Sequence, residues 1–330
     1  MENLEKPFNL ASLLQKFMKK ILILVAILLL ALVISYFAIP EKLQISKVAL
    51  LSSNKRKAYR CLTEENLLNK FLEKSTNDAK SDTGYAFTHN GISFLFRQRM
   101  FDLVEVGIVT GGDTLESFIS LTELSPDSSS LVWSSSMEAA SNPFTRMSNY
   151  WKGRKVHKSM SEKLDRYQQL VVNDDEVYGL KIERSQVTDS LLVTAKKTTT
   201  AFPSREEYYG LINKLQQYIA HSGAAPSNFP MLNISTADST SFITTVAVPV
   251  NKVLPGNGEI AFKRMFPGNI LITEVRGGVD AVEAGFSGLN NYVSDYQLVP
   301  PAISFQSLVT DRLVVKDSSQ WITKLYFPVF

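Results

Sequence analysis

Cysteine is almost missing from this chain of 330 residues: Cys61 stands alone, which excludes a disulfide framework within it. The three histidines, His89, His157 and His221, are scattered and fall on no zinc-ligand spacing, so neither a metal nor a cofactor is expected. Each reads as a surface or half-buried side chain. A dominant charge is also lacking. Lysine and arginine number 35 against 32 acidic residues, and the basic residues form neither a stripe nor a basic-aromatic pattern, so nucleic acid is excluded as a partner. No GxSxG elbow occurs, and PGNGE at Pro255–Glu259 lacks the spacing and the lysine of a phosphate loop. It reads as a turn. Asp174, Asp175 and Glu176 lack the oxygen spacing of a calcium loop and read as a solvated connector.

One long apolar run is present. Ile21–Ile39 carries no charge and matches the length that spans a bilayer core at helical rise. Lys16, Lys19 and Lys20 precede it, and the positive-inside rule holds that side in the cytoplasm. A cleaved signal peptide would have a shorter apolar region and a small-x-small site, which AIPEKL does not supply. Residues 1–20 are therefore expected to be a cytoplasmic tail and 21–39 an uncleaved transmembrane anchor. The protein then reads as a single-pass inner-membrane protein of a bacterial envelope, its bulk periplasmic and its lone Cys61 buried.

Beyond the anchor, Leu43–Leu51 alternates as a strand, and Asn54–Leu72 reads as one helix with Ala58, Leu62, Leu67, Leu68 and Phe71 near one face. Five short segments rich in aromatic and β-branched residues follow: Gly84–His89, Gly91–Arg97, Leu103–Thr110, Thr114–Leu124 and Ser130–Ser136. The turn clusters HNG, TGGD and SPDSSS separate them, as in an antiparallel meander. In Pro143–Val172, Phe144, Met147, Trp151, Val156, Met160, Leu164, Tyr167 and Leu170 fall at helical steps. The order is strand, helix, meander, long helix, an α+β unit over residues 41–176.

The last part, residues 177–330, is duplicated. ITTVAVPV at Ile243–Val250 returns as ITKLYFPV at Ile322–Val329, VTAKK at Val193–Lys197 as ITEVR at Ile272–Arg276, and GLIN at Gly210–Asn213 as GLNN at Gly288–Asn291. The first and second matches share an offset of 79 residues (322 − 243 and 272 − 193). The copies, about 190–250 and 269–330, each read as strand, helix, strand, strand. Leu191–Thr199, Ser204–His221, Met231–Ser235 and Phe242–Val250 form the first. Ile270–Arg276, Asp280–Tyr296, Ile303–Thr310 and Trp321–Val329 form the second. The glycines of GGVDAVEAGF weaken its helix propensity, so packing must hold that helix. Two such units face each other across a pseudo-two-fold axis, and their seam is a natural ligand site.

Two resemblances follow from these patterns. The order in Leu43–Val172 resembles the START-like (SRPBCC, polyketide cyclase) helix-grip fold. In that fold Trp133, Phe144 and Trp151 fall in the cavity region, as core residues first and ligand contacts second. VTAKKTTTAFPSREEYYGLINKLQQYI together with the terminal WITKLYFPV resembles the GyrI-like effector-binding domain. The combination with an anchor is similar to membrane-anchored proteins of Bacteroidetes-type bacteria. The resemblance implies a hydrophobic small molecule between the repeats, often a cation, and hydrolysis of electrophiles in some members. It also implies that Gln306, in Phe305-Gln306-Ser307-Leu308, stands where the family has a buried glutamate, which argues against strong cation selectivity and against catalysis. Tyr326 matches an aromatic wall, and Trp321 opens the last strand.

Three functions are consistent with these residues. The first is capture of a hydrophobic or lipid-like ligand by Phe305, Gln306, Tyr326 and Trp321. The second is hydrolysis, with Tyr326 assisting a water and Glu259 or Glu274 as base. The third is an envelope scaffold with filled pockets.

Overall fold

The computed structural model describes residues 10–72, 80–81, 84–100, 103–138, 140–188, 191–238 and 240–330. The first nine residues of the expected tail lie outside them. The chain is an α+β protein that divides into two compact units, Met1–Gln169 and Leu170–Phe330. The division falls a few residues before the expected one at 176.

The first unit begins with α1 (Leu10–Ala38), in which Phe17–Ala38 is long and apolar enough to cross a membrane and is not buried against the protein. After it come β1 (Lys42–Leu51), α2 (Lys55–Thr63), α3 (Glu65–Leu72), β2 (Lys80–Ser81), β3 (Gly84–His89), β4 (Ile92–Met100), β5 (Leu103–Thr110), β6 (Asp113–Ser125), β7 (Ser128–Glu138) and α4 (Pro143–Val172). The strands form one antiparallel sheet in the order β1-β7-β6-β5-β4-β3-β2. The meander and the long helix thus fall where the sequence puts them.

The expected single helix at Asn54–Leu72 is broken. Glu64 adopts φ −80°, ψ 128°, outside the helical region, while Thr63 Oγ1 donates to the Tyr59 and Arg60 carbonyls. Such a side chain offers the backbone an alternative to continuing the helix. The bend still turns Leu62, Leu67, Leu68 and Phe71 inward, all buried. Phe71, Phe87, Phe94, Phe96, Trp133 and Tyr167 meet ring to ring at centroid distances of 4.9–6.2 Å. The Trp133 indole donates to Ser117 Oγ at 3.0 Å and the Tyr167 hydroxyl to the Ala58 carbonyl at 2.6 Å. Both buried polar groups are therefore satisfied.

The second unit contains α5 (Asp174–Tyr178), β8 (Glu183–Gln186), β9 (Leu191–Thr199), α6 (Arg205–His221), β10 (Met231–Asp238), β11 (Ser241–Pro249), β12 (Ile260–Arg264), β13 (Asn269–Arg276), α7 (Val279–Asp295), β14 (Phe305–Leu308) and β15 (Ile322–Val329). The acidic connector is thus a short helix, capped by the Asn173 side chain. Ser204 caps α6 reciprocally: its hydroxyl accepts from Glu207 N, and the Glu207 carboxylate accepts from Ser204 N. The Lys197 ammonium bonded to Glu207 holds that carboxyl below its ordinary pKa.

All eight strands form one sheet, β12-β9-β11-β10-β14-β15-β13-β8. The first three core strands, β9-β11-β10, are answered by β14-β15-β13 in reverse order. The two sets meet where Leu232 pairs with Gln306. The edge strands are exchanged: β8 precedes the first repeat but pairs with β13 of the second, and β12 precedes the second but pairs with β9 of the first. Each repeat therefore has five elements rather than four, and β12 is the strand hidden behind the PGNGE turn.

The ladder also corrects the alignment. Pro249 pairs with Leu192 and Pro328 with Ile270. The prolines are 79 residues apart (328 − 249), but their partners are 78 apart (270 − 192). The one-residue difference matters because it exchanges the faces of a strand. Matching Val193 to Ile272 would equate a residue packed under α6 with one on the opposite face. The register equates Thr194 with Ile272 instead.

α6 packs on β9 and β11, and α7 on β13 and β15, all on one face. The second helix lies very close. A Cβ on Gly288 would meet the Tyr178 carbonyl oxygen at 2.7 Å and Leu180 Cδ1 at 2.6 Å, whereas one on the matching Gly210 would meet nothing within 4 Å. Gly210→Ala is therefore expected to stabilise by about 0.5–1 kcal/mol through helix propensity. Gly288→Ala is expected to destabilise by about 1–3 kcal/mol through overpacking. Denaturant midpoints of the two variants check this; equal shifts of the same sign would contradict it.

Candidate functional site: a cavity on the open face of the second sheet

On the face opposite α6 and α7, a cavity of about 470 Å³ is lined by residues from both repeats. Leu192 and Thr194 enter from β9, Met231 and Asn233 from β10, Thr245 and Ala247 from β11, and Phe305 from β14. The segment Lys263–Asn269, the loop Pro301–Ile303 and the terminal Pro328–Phe330 complete the wall. The floor is an apolar cluster of Leu192, Met231, Ala247, Ile270 and Phe305, with Val187, Met265, Ile272 and Tyr326 packed against it. At the rim, Phe266 is 89% exposed, and Ile303 and Phe330 are also exposed. Polar groups are few. Asn233 Nδ2 donates to the Ser304 carbonyl at 2.8 Å and Thr194 Oγ1 to that of Ala261 at 3.2 Å.

The repeats explain where the open space lies. In the corrected register Met231 matches Phe305, and Ala247 matches Tyr326. On the second repeat the Phe305 and Tyr326 rings stack, centroids 5.0 Å apart and 7° from parallel. On the first, Ala247 leaves the equivalent volume unfilled, and the cavity lies there. It is thus displaced from the pseudo-dyad toward one repeat.

The expected site residues separate. Phe305 lines the cavity, and Tyr326 backs it as the partner in the stack. Gln306 does not line it. As the neighbour of Phe305 on a strand, it points to the helix face, where its Oε1 accepts from Arg312 Nη2 at 3.3 Å. Trp321 is also on another side of the sheet's end: its indole donates to the Val315 carbonyl, and the guanidinium carbons of Arg205 and Arg312 each lie 5.0 Å from its ring centroid. Of the two proposed bases, Glu259 is bonded to Lys214 and Glu274 lies 3.8 Å from Arg276; neither lines the cavity. In the first unit, Trp133 is fully buried among phenylalanines, whereas Phe144 is 71% and Trp151 62% exposed. Those two stand on the side of α4 opposite its buried stripe of Arg146, Gly153, Val156, Met160 and Leu164, Phe144 nine residues from Gly153 and Trp151 nine from Met160.

The strongest missed residue is Ala247. Its signal was present in VAVPV against LYFPV, where a small side chain replaces a large aromatic at one repeat position. No lining side chain is acidic; the charged ones are Lys263 and Arg264. Lys263 pairs with Leu192 across the ladder and so projects on the cavity face.

No family model and no curated protein matches the chain. Among solved structures it is similar to the EcmrR C-terminal domain at 16% identity, over 46% of this chain and 98% of that one, TM-score 0.38. It is similar to SAV2435 bound to tetraphenylphosphonium at 16% identity, over 46% and 94%, TM-score 0.31. A third is a hydrolase from Listeria innocua, at 13% identity over 46% and 92%, TM-score 0.35. At these scores none of them carries a function to this chain.

Gln306 is expected to act in folding rather than in the cavity. Gln306→Leu, which gives it the side chain of its partner Leu232, removes an acceptor from the buried Arg312. The loss should be about 1–3 kcal/mol, with the binding of any cavity probe unchanged. A probe affinity that falls while stability holds would return Gln306 to the cavity.

Proposed function

We propose that the second unit is a binding module that encloses a small apolar molecule on the open face of its sheet, and that α1 holds the chain in a membrane. The observation that carries this reading is the cavity itself. Its volume falls within the roughly 300–1,000 Å³ of small-molecule sites. It has an apolar floor and exposed apolar residues at its mouth, Phe266, Ile303 and Phe330. A ligand there removes apolar surface from water on both sides, at about 25 cal/mol per Å². The few polar groups, Asn233, Thr245 and Asn269, can orient it. Enclosure is the whole mechanism; no lining residue combines a nucleophile with a base. Lys16, Lys19 and Lys20 ahead of the apolar stretch support an orientation with the N-terminus of α1 in the cytoplasm and the two units on the periplasmic side of a bacterial inner membrane.

Charge narrows the ligand. With Lys263 and Arg264 among the lining residues and no acidic side chain, the cavity favours neutral or acidic molecules over cations. The probe N-phenyl-1-naphthylamine is neutral and apolar; tetraphenylphosphonium is apolar and cationic. Titrated into the full chain in nanodiscs, with empty nanodiscs subtracted, the naphthylamine is expected to saturate and to bind more tightly than the phosphonium. Ala247→Phe should weaken naphthylamine binding at least tenfold. Unchanged binding in that variant, or a preference for the cation, would overturn the reading.

A further inference from the structure

The first two turns of α4 present an apolar surface that the sheet does not cover. Phe144, Met147 and Trp151 stand at i, i+3 and i+7 on one helix face, exposed by 71%, 37% and 62%. Further along the same face come Arg154, Lys155 and Lys158. The Arg154 guanidinium lies 5.9 Å from the Tyr150 ring centroid and 6.0 Å from that of Trp151. Neither Arg154 nor Lys155 has a carboxylate partner among the described residues. An exposed aromatic stripe that runs into Arg154 and Lys155 costs solubility unless something covers it.

Its position identifies the cover. Arg146, on the same two turns but turned inward, donates from Nη2 to the Ile39 carbonyl at 2.5 Å, and its guanidinium lies 4.5 Å from the Tyr36 ring centroid. Tyr36 and Ile39 are at the end of α1, where the apolar stretch Phe17–Ala38 stops. The stripe is therefore held at the level at which α1 would leave a bilayer. Tryptophan, tyrosine and snorkelling basic side chains favour that interfacial depth.

We propose that the N-terminal turns of α4 lie in the lipid headgroup zone, with Phe144, Met147 and Trp151 inserted among the upper acyl carbons and Arg154 and Lys155 on lipid phosphates. The inference rests on α1 spanning the membrane. α1 and α4 together then fix the first unit against the lipid surface at two places rather than by a flexible tether.

The test uses the three tryptophans. Trp133 and Trp321 are buried, and Trp151 is the exposed one. The full chain is placed in nanodiscs containing phosphatidylcholine brominated high on the acyl chain, and tryptophan fluorescence is compared with unbrominated discs. The wild type is expected to be quenched, and Trp151→Phe to lose most of that quenching. Equal quenching in the two proteins, or none in either while the chain co-elutes with the discs, would overturn the proposal. A chain that does not co-elute with the discs would instead overturn the anchor, and this inference with it.

Discussion

The second unit depends on one short antiparallel contact, the pairing of Leu232 with Gln306 where β10 meets β14. Only two residue pairs form that ladder, Met231 with Ser307 and Leu232 with Gln306. It is reinforced by Leu308 N donating to the Pro230 carbonyl and by the Asn233 amide donating to Ser304 O. On the helix face, Leu308 and Leu313 pack into the cluster under α6, and Arg312 N donates to the Tyr209 hydroxyl. These contacts join two small half-sheets into one with a shared core, which neither repeat could bury alone. The exchanged edge strands β8 and β12 lock the join from outside, since each repeat completes the other's sheet.

That arrangement makes the two faces unequal in role. The helix face is closely filled, to the point that Gly285 and Gly288 are needed for α7 to approach. Among the described residues of this unit no helix covers the other face, and its side chains decide what is open. A stacked Phe305–Tyr326 pair fills one half and Ala247 leaves the other empty, so a near-symmetric backbone yields an asymmetric cavity. The asymmetry is thus a property of side-chain volume rather than of topology.

Much of the architecture was legible in the sequence, because strand and helix periods are local. The meander, the long helix and the duplicated unit all fall at the expected places. What was not legible depends on parity and on neighbours. A 79-residue offset read from Pro249 and Pro328 is right for the last strand but one residue too long for the first, and one residue turns a strand over. The same parity places Gln306 beside the cavity wall in sequence but behind it in space. Phe144 and Trp151 share the helical steps of the long helix, yet the step of five from Trp151 to Val156 changes face, and only the face of Val156, Met160, Leu164 and Tyr167 is buried. β12 was hidden because its ladder partner, β9, lies some 70 residues upstream (264 − 191 = 73 for Arg264 and Leu191).

The proposed ligand, an apolar molecule, would sit against Ala247, Met231 and Phe305. The most direct measurement is a crystal structure of the full chain soaked with 1-bromonaphthalene and recorded at the bromine absorption edge. An anomalous peak is expected in the cavity within contact of Ala247 and Met231, absent from crystals of Ala247→Phe. A peak confined to other surfaces, or an empty cavity at saturating probe, would contradict it.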